Sequence, residues 1–248
     1  MHLHTYNDLD ELSYAVADWM VYQISETLKK QGRFTIALSG GSTPQRLYSI
    51  LAKEPYNQKI DWSKLHIFWG DERVVPFEDE RNNAKMTYDT LLNHVPVPAS
   101  QIYVMKTDIE PQEAARQYEA ILHEYFDHSE TTFDLTLLGM GDDGHTLSVF
   151  PGSELVTRKA GWAEAIWVAA QNMYRITLTP GLVNKSAVVA FLTAGANKSA
   201  TLKQVIRGEF DPGKYPSQLI KPTDGELYWF VDQAAAKEVS VLNQDSQD

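Results

Sequence analysis

The alternation of apolar and polar positions divides the chain into short elements. Between Asn7 and Lys30, Leu9, Leu12, Val16, Trp19, Met20, Ile24 and Leu28 recur at helical spacing and predict an amphipathic opening helix, stopped by Gly32. Phe34–Leu38 is a continuous apolar run and predicts a buried strand, followed by a helix that Pro44 begins. Leu65–Trp69 and Phe133–Leu138 predict two more buried strands, and Asn82–Leu92 and Glu113–Phe126 two more helices. Further strands are expected at Ala165–Ala169, Arg175–Leu178, Ala187–Thr193 and Leu227–Val231, with helices at Asn197–Ile206 and Gln233–Val241. Apolar strands alternating with helices imply an α/β protein whose parallel sheet is covered on both faces. No repeat, low-complexity segment or Pro/Gly/Ser linker interrupts the pattern, so residues 1–248 are expected to form a single domain with a fraying polar tail at about 243–248.

Composition narrows the classes of function. With 248 residues, 43% hydrophobic and 22% charged, the chain has ordinary globular usage. No apolar run approaches the roughly 18 residues that span a bilayer, and the first residues lack a basic-then-apolar signal. A cytoplasmic location is the expectation. The absence of cysteine excludes disulfides, thiolate metal sites and cysteine nucleophiles. A net charge of −11 argues against nucleic acid or an anionic membrane as partner. An anionic small ligand would therefore need cations gathered locally.

In a parallel sheet, ligands bind beyond the carboxyl ends of the strands, so the segments following strands carry the candidate chemistry. After Phe34–Leu38 comes Ser39-Gly40-Gly41-Ser42-Thr43-Pro44. Its glycines permit close backbone approach, Ser42 or Thr43 can cap the next helix, and the helix start is a ready phosphate seat. An ordinary capped strand-to-helix turn would use the same residues. It lacks the Gly-Lys-Ser/Thr of a Walker loop and is no Gly-x-Ser-x-Gly nucleophile elbow.

After Leu65–Trp69 comes Gly70-Asp71-Glu72-Arg73-Val74-Val75-Pro76, suited to polar contacts with a hydroxylated ligand or to a solvated loop with internal ion pairs. After Phe133–Leu138 comes Gly139-Met140-Gly141-Asp142-Asp143-Gly144-His145-Thr146. It matches Gly-x-Gly-x-x-Gly, but adjacent carboxylates would occupy the place of a pyrophosphate, and the strand is not the chain's first. What it offers is His145, an imidazole whose ordinary pKa of about 6.5 suits proton transfer near neutrality. His2, His4, His94, His123 and His128 have bland settings, and His66 lies inside a strand, where packing explains it. Arg175 opens a strand and Lys198 lies in Gly195-Ala196-Asn197-Lys198-Ser199; each alone reads as a surface charge, and together they can supply the missing local positive field.

Taken in order, Leu38–Pro44, Trp69–Arg73, Asn83, Leu138–Thr146, Phe150-Pro151-Gly152, Arg175–Leu178 and the Lys198 segment resemble the lactonase branch of the glucosamine-6-phosphate isomerase/6-phosphogluconolactonase family, over about residues 33 to 232. The resemblance implies a three-layer α/β/α, modified Rossmann-like fold with a mostly parallel sheet. It further implies hydrolysis of 6-phosphogluconolactone to 6-phosphogluconate in the pentose phosphate pathway, without metal or organic cofactor; no obligate protein partner is apparent in the sequence. By position, phosphate contacts fall on the Ser39–Thr43 loop (Ser39, Gly40, Gly41, Ser42, Thr43), Arg175 and Lys198. The catalytic histidine matches His145, and Asp71, Glu72 and Arg73 match the family's acid-acid-base segment; the mechanism expected from these groups has Asp143 or Asp71 orient the imidazole or the substrate hydroxyls and Arg73 steady an oxyanion.

Two readings compete: a deaminase/isomerase of the same family, and a sugar-phosphate sensor without catalysis. The deaminases typically carry tyrosine in place of Arg73 and a glutamate before the proline that follows the histidine. Here that stretch is Leu147-Ser148-Val149-Phe150-Pro151, which lacks the glutamate. A sensor would leave His145 superfluous. The sequence also departs from common lactonase usage at Asn82, Asp142, Leu147 and Val149, and Gln171-Asn172-Met173-Tyr174 lacks the prolines usual before the arginine.

Overall fold

A computed structural model describes residues 1–158 and 161–240. Its strands are β1 (His2–Tyr6), β2 (Phe34–Leu38), β3 (Leu65–Trp69), β4 (Asp71–Arg73), β5 (Leu135–Leu138), β6 (Ala163–Val168), β7 (Met173–Leu178), β8 (Val188–Thr193) and β9 (Glu226–Asp232). Its helices are α1 (Leu9–Leu28), α2 (Ser42–Leu51), α3 (Tyr56–Lys59), α4 (Asn83–Thr90), α5 (Pro111–Phe126), α6 (Pro180–Val183), α7 (Ser199–Arg207) and α8 (Gln233–Ser240).

Six strands form a parallel sheet in the order β1-β9-β8-β5-β2-β3. Each strand sends alternate side chains to opposite faces, which divides the core in two. Phe34, Ile36, Leu38, Ile67 and Leu192 pack on one face with Leu12, Val16 and Met20 of α1 and Leu47 and Tyr48 of α2. Ala37, Phe68, Val189 and Phe191 pack on the other with Tyr118 and Leu122 of α5, Leu202 of α7 and Ala235 of α8. The sheet lies between the two helical layers, which is the α/β/α architecture the resemblance implied.

Several boundaries and one topological expectation differ. The polar opening segment, read only for targeting signals, is strand β1, paired with β9 from His2↔Tyr228 to Tyr6↔Asp232. His2, His4, Tyr228 and Phe230 stack along this pairing, so cross-strand aromatic contact, invisible in the segment alone, holds it. The expected strands around Ala165 and Arg175 do not join the parallel sheet. They form β6 and β7, an antiparallel hairpin to which β4 adds, in the order β4-β7-β6. The segment after β3 is thus a short strand at Asp71–Arg73, not wholly a loop. The opening helix begins at Leu9 because the Asp8 side chain accepts from Glu11 N at 2.9 Å, and it ends at Lys29, before Gly32. Helix α4 begins one residue later than expected, because Asn82 caps it by accepting from Lys85 N at 2.8 Å. The helix expected from Asn197 begins as a 3₁₀ turn at Ala196–Lys198 before α7. Val241 and the tail at 243–248 lie outside the described residues.

Phe191 of β8 and Trp229 of β9 stack with centroids 3.9 Å apart and planes 2° from parallel, both buried. Phe191→Ala should destabilise the fold by about 3–5 kcal/mol, read as a lower urea midpoint with unchanged slope. A midpoint within error of wild type would show that this stack does not hold the sheet to its outer layer.

Candidate functional site

Strands β2 and β5 lie side by side in parallel, Ala37 opposite Thr136. From β2 the chain moves outward to β3 and later returns to the other side of β2 as β5. Between β2 and β5 the winding therefore reverses, and the loops leaving their carboxyl ends part to form a crevice. Ser39, Gly40 and Gly41 enter it from β2, Gly139, Met140, Gly141 and His145 from β5, and Lys198 from beyond β8. Asp71 and Arg73 of β4 and Arg175 of β7 complete one cleft of about 190 Å³. A contiguous cavity of about 290 Å³ extends from Gly40, Gly41 and Lys198 to Ser42, Thr43 and Thr193. Every residue proposed from sequence borders one of these two spaces except Glu72 and Asp143, the latter hydrogen-bonded to the ring of His145.

The seryl-glycyl loop is built differently from its sequence expectation. Helix α2 starts at Ser42, two residues before Pro44, and Gly41 occupies the N-cap at φ 106°, a conformation that favours glycine. Neither Ser42 nor Thr43 caps: no side chain accepts from the first turn. The N–H groups of Ser42 and Thr43, two residues that line the cavity, are thus without a side-chain cap, and Pro44 carries no N–H. Gly40 is required for space, since a Cβ there would lie 1.9 Å from Asn83 Oδ1. Buried Tyr48 fastens the loop, accepting from Ser39 N at 3.0 Å and donating to Ser39 O at 2.8 Å.

His145 Nδ1 lies 2.6 Å from Asp143 Oδ1, and the His145 backbone N–H donates to the same oxygen at 3.0 Å. Burial alone would raise the Asp143 carboxyl, but these hydrogen bonds outweigh it and hold it below the usual carboxylate range. An ionised carboxylate only accepts, so Nδ1 carries the proton in the neutral ring and Nε2 presents a lone pair. Among the described residues Nε2 has no hydrogen-bond partner. Phe150 stacks on the ring at 4.2 Å. Gly141 is again a matter of space: a Cβ would lie 2.1 Å from His145 Nδ1 and 2.6 Å from Asp143 Oδ1. Leu147, two residues on, holds φ 55°, strained for a side chain of its size and of a kind that clusters at active sites.

Asp71 does not touch the imidazole. Its Oδ2 accepts from Ser148 Oγ at 2.7 Å and from Arg175 Nη1 at 3.2 Å, a pair with side chains only 11% and 6% exposed. Gln171 Oε1 takes Arg175 Nε at 3.0 Å and Nη2 at 2.5 Å. Arg175 therefore borders the cleft with most of its donors engaged. Arg73, directly opposite it across the β4–β7 ladder, donates from Nη1 to Arg81 O at 2.7 Å, while its buried Nε has no partner. The Lys198 backbone N–H donates to Gly195 O at 3.1 Å, while its ammonium has no ion-pair or hydrogen-bond partner among the described residues.

Glu72 points away from the cleft. It is buried and accepts from Arg73 N, Asn83 N and Ala84 N at 2.7–2.8 Å, tying β4 to the start of α4. Sequence reasoning grouped it with Asp71 and Arg73, although alternation along β4 sends it to the other side. Asn83, quoted only as a matching position, donates from Nδ2 to Asp71 O at 3.0 Å and braces Gly40. Ser148, Gln171 and Thr193 were given no role by the sequence. Ser148 and Gln171 act through Arg175, whose placement depends on a hairpin that no local pattern announces. His66, expected to be satisfied within its strand, meets the Tyr125 hydroxyl at 2.6 Å. No group of three or more His, Asp or Glu side chains among the described residues could hold a metal ion, and no described helix is long and apolar enough to cross a membrane.

The family model described as glucosamine-6-phosphate isomerases/6-phosphogluconolactonase matches residues 7–229. A 6-phosphogluconolactonase of Nostoc sp. is 41% identical over 229 residues, covering 90% of this chain and 92% of the relative. A probable chloroplastic 6-phosphogluconolactonase of Oryza sativa subsp. japonica is 36% identical over 242 residues, covering 93% and 74%. Among solved structures, the 6-phosphogluconolactonase from Trypanosoma cruzi superposes with a TM-score of 0.85 at 25% identity, covering 96% of this chain and 97% of that one. A monomeric glucosamine-6-phosphate deaminase superposes with a TM-score of 0.82 at 17% identity over 96% of this chain and all of that one, a likeness of fold alone.

Burial pushes the Glu72 carboxyl up to about 7 from 4.5, against the pull of its three backbone donors and with help from the charge of Asp71. A folded-state value above the unfolded one means that Glu72 contributes stability in full below about 4.5, lost as pH rises through about 7. Glu72→Gln should lower stability overall, having one acceptor oxygen fewer, but flatten this dependence. Urea midpoints across that window would show it; parallel wild-type and Glu72→Gln curves would reject the assignment.

Proposed function

The chain belongs to the glucosamine-6-phosphate isomerase/6-phosphogluconolactonase family, and on that premise we propose that it hydrolyses 6-phosphogluconolactone to 6-phosphogluconate. The observation that carries this reading is the Asp143–His145 pair beside Arg73 in one cleft, next to an uncapped helix start and Lys198. A sugar phosphate binds with its phosphoryl group on the Ser39–Thr43 loop and Lys198, with Arg175 at the border. These groups oppose an overall charge of −11 by bringing positive field to a single point.

His145 Nε2 takes a proton from water as the oxygen attacks the lactone carbonyl carbon. The carbonyl oxygen gains negative charge, which Arg73 steadies. The tetrahedral intermediate collapses by breaking the bond from carbonyl carbon to ring oxygen, and His145 returns its proton to that oxygen. Asp143 keeps the ring in the tautomer the first step needs and stabilises the imidazolium between steps. Asp71, tied to Arg175 and Ser148, serves by holding the arginine rather than by orienting the imidazole. No step calls for a metal or an organic cofactor.

The test is lactone turnover near pH 6.5, corrected for spontaneous hydrolysis, run beside ammonia release from glucosamine 6-phosphate. Lactone turnover without ammonia release is expected; the converse would make the protein a deaminase, and binding of 6-phosphogluconate without turnover would make it a sensor. His145→Asn should lower kcat by about 10²–10⁴, and full activity in that variant would remove His145 from the mechanism. Arg175→Ala should act mainly on KM, because contacts to a remote phosphate serve ground and transition states alike. An unchanged KM would take Arg175 out of the phosphate's contacts.

A further inference from the structure

Thr193 ends β8 and borders the cavity that begins where α2 starts. It is 2% exposed, and its hydroxyl is one of the few buried side-chain polar atoms among the described residues without a hydrogen-bond partner. A buried hydroxyl left unpaired is costly, and such an atom calls for a use. Its surroundings indicate which. Gly41 leaves the first N–H groups of α2 without a side-chain cap, and the Lys198 ammonium has no partner among the described residues. No carboxylate lines this cavity. The nearest acidic side chain by sequence register, Asp232 beside β8, is engaged with the N–H groups of Gly195 and Ala235. That contact also fixes the Gly195 turn, at φ 103°, which carries the chain from Thr193 to Lys198.

We propose that Thr193 is a binding and specificity residue: its Oγ–H donates to an oxygen of the ligand's phosphoryl group seated at the start of α2. A phosphoryl dianion offers acceptors only, so it supplies what the helix N–H groups, the Lys198 ammonium and the Thr193 hydroxyl all lack. The proposal rests on the sugar-phosphate reading above and names one more group that distinguishes the phosphorylated lactone from the unphosphorylated one.

Thr193→Val replaces the hydroxyl with a methyl of similar size and removes the orphan donor, while Thr193→Ser retains it. Thr193→Val should raise KM for 6-phosphogluconolactone about tenfold, equivalent to about 1.4 kcal/mol, with kcat largely retained and Thr193→Ser close to wild type. Turnover of unphosphorylated gluconolactone, where measurable, should not change. Without ligand, Thr193→Val should melt at or above the wild-type temperature, yet gain less from added inorganic phosphate. A Thr193→Val protein with wild-type KM and a wild-type phosphate upshift would overturn the proposal, as would a wild-type protein with no phosphate upshift. Should wild type show the upshift but no lactone turnover, the lactonase reading fails while the phosphate comparison still decides the role of Thr193.

Discussion

The parallel pairing of β2 with β5, in a register that ends the two strands within one residue of each other, is the constraint from which the rest of the site follows. Parallel neighbours release their loops on the same side, and the reversal of winding between them keeps those loops from closing over each other. Two glycine-bearing turns thereby come together from segments about a hundred residues apart. Each has a glycine where a side chain would collide with a neighbour in or beside the cleft: Gly40 against Asn83, and Gly141 against His145 and Asp143. The close fit of backbone to side chain makes the cleft small and leaves little freedom to the imidazole.

Electrostatics organise the other wall. Arg73 and Arg175 stand opposite each other on β4 and β7, an arrangement of like charges that is unfavourable unless balanced. Asp71 supplies part of that balance from inside the protein, and Gln171 and Ser148 occupy further donors of Arg175 without adding charge. The buried pair costs desolvation, and its value lies in holding a guanidinium at the cleft in one orientation rather than in stability for its own sake. Glu72, on the opposite face of the same short strand, uses its carboxylate to tie β4 to the start of α4. Adjacent acidic residues thus have separate tasks, one at the cleft and one at the scaffold, because a strand alternates its faces.

Of the positions read from the sequence as departures from common lactonase usage, Gln171 and Leu147 bear on this wall, while Asp142 lies in the loop of the imidazole, its carbonyl accepting from Thr201 Oγ. Gln171 sits in the turn between β6 and β7 and reaches Arg175, so the stretch without prolines supplies a grip on the guanidinium. Leu147 takes a left-handed conformation between His145 and Ser148, and its side chain packs where a Cβ on Gly70 would lie 2.9 Å away. Backbone strain there turns the chain so that His145 faces the cleft while Ser148 meets Asp71.

The sequence by itself determined the buried strands at Phe34–Leu38 and Leu65–Trp69, the amphipathic helices, and the placement of polar, glycine-rich segments directly after strands. These follow from local periodicity and from the φ freedom of glycine, which neighbouring residues express without help from the fold. It also singled out His145, because a lone imidazole among glycines and carboxylates has few structural uses. Tertiary structure alone decided that Arg175 lies on an antiparallel hairpin beside Arg73, that Asp71 serves the arginine while Asp143 serves the histidine, and that the Thr193 hydroxyl is buried without a partner. An ion pair or an orphaned hydroxyl is a relation between residues far apart in the chain. The energy that settles it comes from desolvation and distance, and neither exists until the strands have been brought together.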